Sequence, residues 1–173
     1  DINFEIDKKI SKDWHITAQY INLYYDIETI EGHAGAPPVK ANIGFLDVTY
    51  KINKKQSLRL ELQGLWENEV HTGYEVEESE KKDYQKRGDW LFGLLEYTIA
   101  PHWSISIADK WNYGNPVEEF RDHYFTGNIT FIHESTRVML SAGRQSEGVV
   151  CVGGVCRVVP ASSGVSLTVS TSF

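Results

Sequence analysis

No run of about eighteen apolar residues occurs anywhere in this sequence, which leaves no candidate for a membrane-crossing helix. Basic residues are short, with 17 Lys and Arg against 24 Asp and Glu and a net charge of -7. That balance excludes nucleic acid as a partner, because phosphate binding needs a basic face. The chain holds one Met, and it is not at the start; no signal-peptide pattern opens it. The expectation is a mature, processed or partial chain. Catalytic signatures are absent as well. The six histidines show no metal-ligand spacing, and HExxH, a Gly-rich phosphate loop and GxSxG are all lacking. Ser135 lies near His133, but the pair sits in a tight turn with no third member, and turn chemistry accounts for the serine. The acidic stretch from Glu67 to Asp83 lacks the ligand spacing of a calcium loop and also carries Lys81 and Lys82, so it reads as a solvated loop. The expectation is no enzyme, no cofactor and no metal.

Alternation is what the sequence does have. In "GVSLTVSTSF", Val165, Leu167, Val169, Thr171 and Phe173 point one way and Ser166, Thr168, Ser170 and Ser172 the other. "SLRLELQGLW" sets Leu58, Leu60, Leu62, Gly64 and Trp66 against Arg59, Glu61 and Gln63. Repeated along the chain, this pattern gives nine strands, at about 2–10, 14–26, 42–53, 56–68, 88–100, 103–113, 123–134, 136–146 and 164–173. Connections alternate strictly between tight (11–13, 54–55, 101–102, 135–136) and long (27–41, 69–87, 114–122, 147–163).

A soluble sandwich also alternates, so a single strand decides nothing. Long loops at one end and tight turns at the other are the pattern of outer-membrane barrels. Aromatics gather at strand ends, with Trp14, Tyr97 and Trp103 by the tight turns and Tyr24, Tyr25, Trp66, Trp111, Tyr113 and Tyr124 by the long loops. This suits two interfacial girdles. The expected fold is all-β, a transmembrane antiparallel up-and-down barrel forming a single domain over 1–173. Its interior would be lined by Asp47, Lys51, Arg59, Glu61, Gln63, Asn128 and Arg137, together with Thr49, Glu67 and Thr130. Strand 88–100 departs from the pattern by adding Trp90, Phe92 and Leu94 to that interior, an apolar patch suited to a plug, an apolar ligand or a partner. Asp109 departs in the other direction, falling on the side of Ile105 and Ile107 unless a bulge turns it inward.

The terminal "SLTVSTSF" resembles the strand signal by which bacterial assembly machinery recognises outer-membrane barrels. The longer stretch "GRQSEGVVCVGGVCRVVPASSGVSLTVSTSF" resembles the end of a family of outer-membrane proteins from Bacteroidota classified as of unknown function. The resemblance implies export, insertion into outer-membrane lipid and a barrel larger than this chain; it implies no catalytic residues. Strand parity points the same way. With tight turns periplasmic, strand 2–10 descends from outside, whereas single-chain bacterial barrels begin in the periplasm with an even number of strands. The expectation is the C-terminal portion of a larger barrel; a miscounted first strand would leave eight, enough for a small closed one.

Within 147–163, "VVCVGGVCRVV" reads as a hairpin. Gly153 and Gly154 suit a two-residue turn, and Cys151 and Cys156 become a cross-strand pair. In an exported protein the pair forms a disulfide; in a reducing compartment it would be free thiols or half a metal site. On the long-loop side this hairpin is extracellular, and Val149, Val152, Val155 and Val158 are expected to be covered as a lid or docking surface. The expected function is a channel or transporter for small polar solutes. The alternative is a structural or scaffolding subunit of a larger outer-membrane assembly, with partner subunits; an outer-membrane enzyme is a distant third.

Overall fold

The computed structural model describes residues 2–25, 29, 39–67, 87–146, 148–152, 155–159 and 161–172; for 25, 39, 148–152 and 155–159 the description is of backbone alone. The strands are β1 (Ile2–Lys9), β2 (Trp14–Tyr25), β3 (Val39–Lys51), β4 (Gln56–Glu67), β5 (Trp90–Ile99), β6 (Trp103–Trp111), β7 (His123–His133), β8 (Thr136–Gln145), β9 (Gly148–Val152), β10 (Val155–Val159) and β11 (Ser162–Thr171). Nine of them form one antiparallel up-and-down sheet in the order β1-β2-β3-β4-β5-β6-β7-β8-β11. β9 and β10 form a separate two-stranded hairpin between β8 and β11. β1 and β11 are the edges of the main sheet, and no pairing joins them among the described residues. The nine expected strands are thus all present, the first included. β3 and β11 begin earlier than their alternation suggests, at Val39 and Ser162.

Tight turns close through local side-chain chemistry. Ser11 Oγ accepts from the backbone N–H of Asp13 and Trp14, both at 3.2 Å. Asn53 Oδ1 does the same for Lys55 and Gln56, at 2.8 and 3.0 Å. These side chains satisfy turn donors that the ladder cannot reach. At the β7–β8 turn Glu134 adopts a φ of 52°, and between β5 and β6 the Ala100–Pro101 bond is cis.

Register fixes which residues share a face, since directly opposite residues point the same way. One face carries Asp47, Thr49 and Lys51 of β3 opposite Glu61, Arg59 and Ser57 of β4. It continues into Thr98, Glu96 and Leu94 of β5 and Ser104, Ser106 and Ala108 of β6. Thr130, Asn128 and Thr126 of β7 and Met139, Ser141 and Gly143 of β8 extend it to Thr168, Ser166 and Gly164 of β11. The other face carries Leu46, Leu62, Leu95, Ile107, Leu140 and Leu167 with their neighbours.

The apolar face is the exposed one. Leu62 is 40% exposed, Ile107 61% and Leu167 67%, while Ala41 and Val117 are the only buried apolar residues among those described. A water-soluble sheet protein puts its large apolar residues inside and its charges outside. Here the arrangement is inverted. Along β4, Leu58, Leu60, Leu62 and Trp66 are exposed, whereas Arg59, Glu61 and Gln63 between them are partly covered.

Aromatic rings mark both ends of the apolar face. Toward the tight turns, Trp14 packs on Tyr50 with centroids 4.5 Å apart, and Trp103 on Phe131 at 4.7 Å. Toward the long connections, Trp111 stacks on His123 at 4.8 Å and His123 on Phe125 at 5.3 Å. The Trp66 ring lies against the opposed glycines Gly44 and Gly64; a Cβ on Gly64 would come within 2.5 Å of it. Tyr124 does not join this row as its sequence position suggests. It shares the polar face with Lys110, its register partner. The Tyr25 side chain lies outside the described residues.

Candidate functional site

Ten polar residues were expected to line an interior, and register sets all ten on the polar face: Asp47, Thr49, Lys51, Arg59, Glu61, Gln63, Glu67, Asn128, Thr130 and Arg137. Four of them meet. Arg59 Nε donates to Asp47 Oδ2 at 2.5 Å and Arg59 Nη2 to Glu61 Oε2, while Gln63 Nε2 donates to the other Glu61 oxygen. Glu96 sits directly opposite Arg59 across the β4–β5 ladder. One guanidinium therefore faces three carboxylates, and the Asp47 and Glu61 side chains are only 13% and 12% exposed. Three unpaired carboxylates at this spacing would repel one another, so Arg59 holds the cluster together. Lys51, Asn128 and Arg137 lie apart from it. Lys51 ends β3 in an exposed position, Asn128 Nδ2 donates to Ser106 Oγ at 3.3 Å, and Arg137 is exposed opposite Ser170. A second polar group continues the face at its edge, where Asp7 accepts from Thr17 at 2.8 Å and bonds His15 at 3.1 Å.

Nearer the long connections the same face turns apolar. Ile43, Leu65, Trp90 and Phe92 line a cavity of ≈ 340 Å³ together with Lys110 and Tyr124. Its lining reaches from β3 to Ser146 and Ala161 beside β8 and β11, so the sheet curls with its polar face inside. Of the apolar patch expected on 88–100, Trp90 and Phe92 thus line a cavity, while Leu94 lies further along β5 between Glu61 and Ala108. Lys110 closes it: its ammonium lies 4.3 Å from the Trp90 ring centroid and donates to Ser146 Oγ at 3.1 Å. The cavity was only half legible, because the register that sets Phe92, Lys110 and Tyr124 side by side is a property of the β5–β6 and β6–β7 ladders and not of any one strand.

A third assembly secures the rim. Glu67 lies on the polar face at the end of β4, but the solvated loop expected to begin there does not describe its side chain, which is 5% exposed and ion-paired to Arg87. Its Oε2 also accepts from the Gly88 N–H at 2.8 Å, and Asp89 Oδ1 accepts from the Glu67 N–H at 2.9 Å. Asn112 and Asn115 are fully buried, and both donate to the Arg87 carbonyl, at 3.2 and 2.9 Å. Arg121 Nε returns to the Asn115 carbonyl at 2.8 Å. The connection 112–122 is therefore a pinned cap, with a short 3-10 turn at Glu118–Phe120. Beside it, burial raises the Tyr113 phenol above its ordinary pKa; the Asp89 carboxylate adds to this, and a hydrogen bond with Trp66 opposes it.

Asp109 lies on the apolar face, as simple alternation requires, without a bulge to turn it inward. It is held by His123 Nδ1 at 2.7 Å, close to the end of the strand. His133 stacks on His102 at 5.8 Å and on Phe131 at 6.4 Å. Among the described residues no group of three or more His, Cys, Asp or Glu is placed to hold a metal ion.

In the hairpin, Cys156 is the register partner of Cys151, and Val155 and Val158 are those of Val152 and Val149. The expected disulfide and the expected covering of these valines concern side chains outside the described residues, as do Gly153 and Gly154 themselves.

No curated protein matches the chain, and no solved structure matches it. Residues 1–173 match a family of unknown function, DUF6029, along the whole sequence, and the chain belongs to that family.

Proposed function

We propose that this chain forms the wall of an outer-membrane β-barrel of the Bacteroidota type. Its polar face lines a water-filled path for small polar solutes. The observation that carries the reading is the inversion of the sheet: large apolar side chains exposed on one face, paired charges half-covered on the other. In lipid every backbone group must be bonded within the protein, and antiparallel strands of about 9–11 residues meet that need across a bilayer. β2 through β8 run from 9 to 13 residues. The unpaired edges β1 and β11 would carry open backbone donors and acceptors, so further strands complete the wall. On this reading the tight turns are periplasmic, the long connections extracellular, and β11 is the element that assembly machinery engages.

The test is conductance of the full-length protein in planar bilayers. Discrete single-channel steps are expected. A silent bilayer with insertion confirmed by heat-modifiable migration would overturn conduction. Co-purification of stable subunits in mild detergent would then support a scaffolding role. The observation that favours this second reading is the hairpin β9–β10, which pairs with no strand of the main sheet among the described residues.

A further inference from the structure

We infer that the cavity around Lys110 is a binding site for a small amphiphile, an apolar body ending in a single carboxylate. The Lys110 ammonium belongs to the polar face but meets no carboxylate there: among the described residues it makes no ion pair. Its register partners are Phe92 on one side and Tyr124 on the other, and Trp90 lies beneath it. The structure gives this half-enclosed cation the Trp90 ring and one serine hydroxyl, with Phe92 and Tyr124 as its neighbours across the ladders. Arg59, on the same face, has three carboxylates around it; Lys110 meets none among the described residues.

A half-enclosed ammonium on an aromatic floor is costly without a counter-ion, because ring quadrupoles return only part of the lost hydration. A ligand carboxylate would supply the missing charge through a charge-assisted hydrogen bond. Ile43 and Leu65, beside Trp90 and Phe92 in the lining, suit an alkyl or aryl body, and Gln63 adds one uncharged polar side chain. The volume of ≈ 340 Å³ lies at the lower end of the range for ligand pockets, roughly 300–1,000 Å³. It has room for about eleven water-sized groups at ~30 Å³ each, which fits a carboxylate with a medium-length tail such as octanoate. The site does not depend on conduction: calorimetry reads binding whether or not the path is open, so failure of one proposal leaves the other standing.

The experiment is isothermal titration calorimetry of the full-length protein in nanodiscs with octanoate, against empty nanodiscs and against octanamide, which keeps the tail and lacks the charge. Saturable binding at one site per chain is expected, with octanamide weaker by ~tenfold or more. Lys110→Met should weaken octanoate to the octanamide level, Lys110→Arg should retain it, and Leu65→Trp should abolish binding by filling the cavity. Equal affinity for octanoate and octanamide on the unaltered protein would overturn the proposal without recourse to any variant. So would uptake no greater than that of empty nanodiscs, or Lys110→Met binding octanoate as the unaltered protein does.

Discussion

Arg59 is the residue on which the polar face turns. It bonds Asp47 and Glu61 and stands opposite Glu96, so one positive charge holds three negative ones. Deleting it leaves three carboxylates within a few ångströms and no cation among them, a local change toward negative potential. On the proposed path, Arg59→Ala therefore shifts the reversal potential in a KCl gradient toward cation selectivity. Arg59→Lys shifts it less, since the charge stays while the fork that spans Asp47 and Glu61 is lost. An unchanged reversal potential in Arg59→Ala would place Arg59 away from the conducting path. Gly143 is a residue of another kind. Its φ of +147° is one that side chains rarely adopt, and a Cβ there would lie 2.2 Å from the Phe125 carbonyl oxygen. Gly143→Val should cost about 1–3 kcal/mol in strain alone and loosen the β7–β8 pairing, read as a lower temperature for loss of heat-modifiable migration.

At the scale of elements, strands were legible because alternation is local. "SLRLELQGLW" announces β4, and its partners across the ladders then fall where hydrophobic parity puts them. Boundaries next to long connections were less so: "VKA" is too short to establish a period and "SS" has no apolar residue, yet both extend their strands because a neighbour offers a ladder to pair with. The polar face could be read residue by residue, but the Arg59 cluster and the Lys110 cavity are products of register between strands, which a single strand does not encode. The rim was hidden for a different reason. Arg87 and Asn115 look like solvated loop residues and Glu67 and Asn112 like strand ends, and only the return of 112–122 onto 87–89 joins them in one buried network. The hairpin β9–β10 was visible as a near-palindrome, and its register sets Cys151 opposite Cys156, the separation of about 4.5–5.5 Å that a disulfide bridges. Under non-reducing, denaturing conditions neither thiol should take up iodoacetamide, read as an unchanged mass. Labelling of both would show that the hairpin is held by pairing alone.

At the scale of the whole molecule the question is what covers the exposed apolar face, and a charge placed on it answers that. Leu62 lies toward the middle of β4 and of that face, 40% exposed, flanked by Leu46 of β3 and Gly93 of β5. If the face meets water, an arginine there is an ordinary surface change within about ±0.5 kcal/mol. If the face meets hydrocarbon, Leu62→Arg near the midplane costs about 2–4 kcal/mol, falling to about 0–1 near the interface. Leu58, four residues nearer the tight turn in the same strand, supplies that interfacial control. Gln63→Arg supplies the control on the polar face, where the added charge points into the lumen of the proposed barrel. Folding of the full-length protein from urea into phospholipid vesicles, followed by migration on gels, should rank the variants Leu62→Arg well below Leu58→Arg, with Gln63→Arg near the unaltered protein. Depth dependence on one face and its absence on the other is a signature that a soluble sheet has no means of producing. Equal stability of Leu62→Arg and Leu58→Arg would mean that water, or a partner protein, covers the leucines.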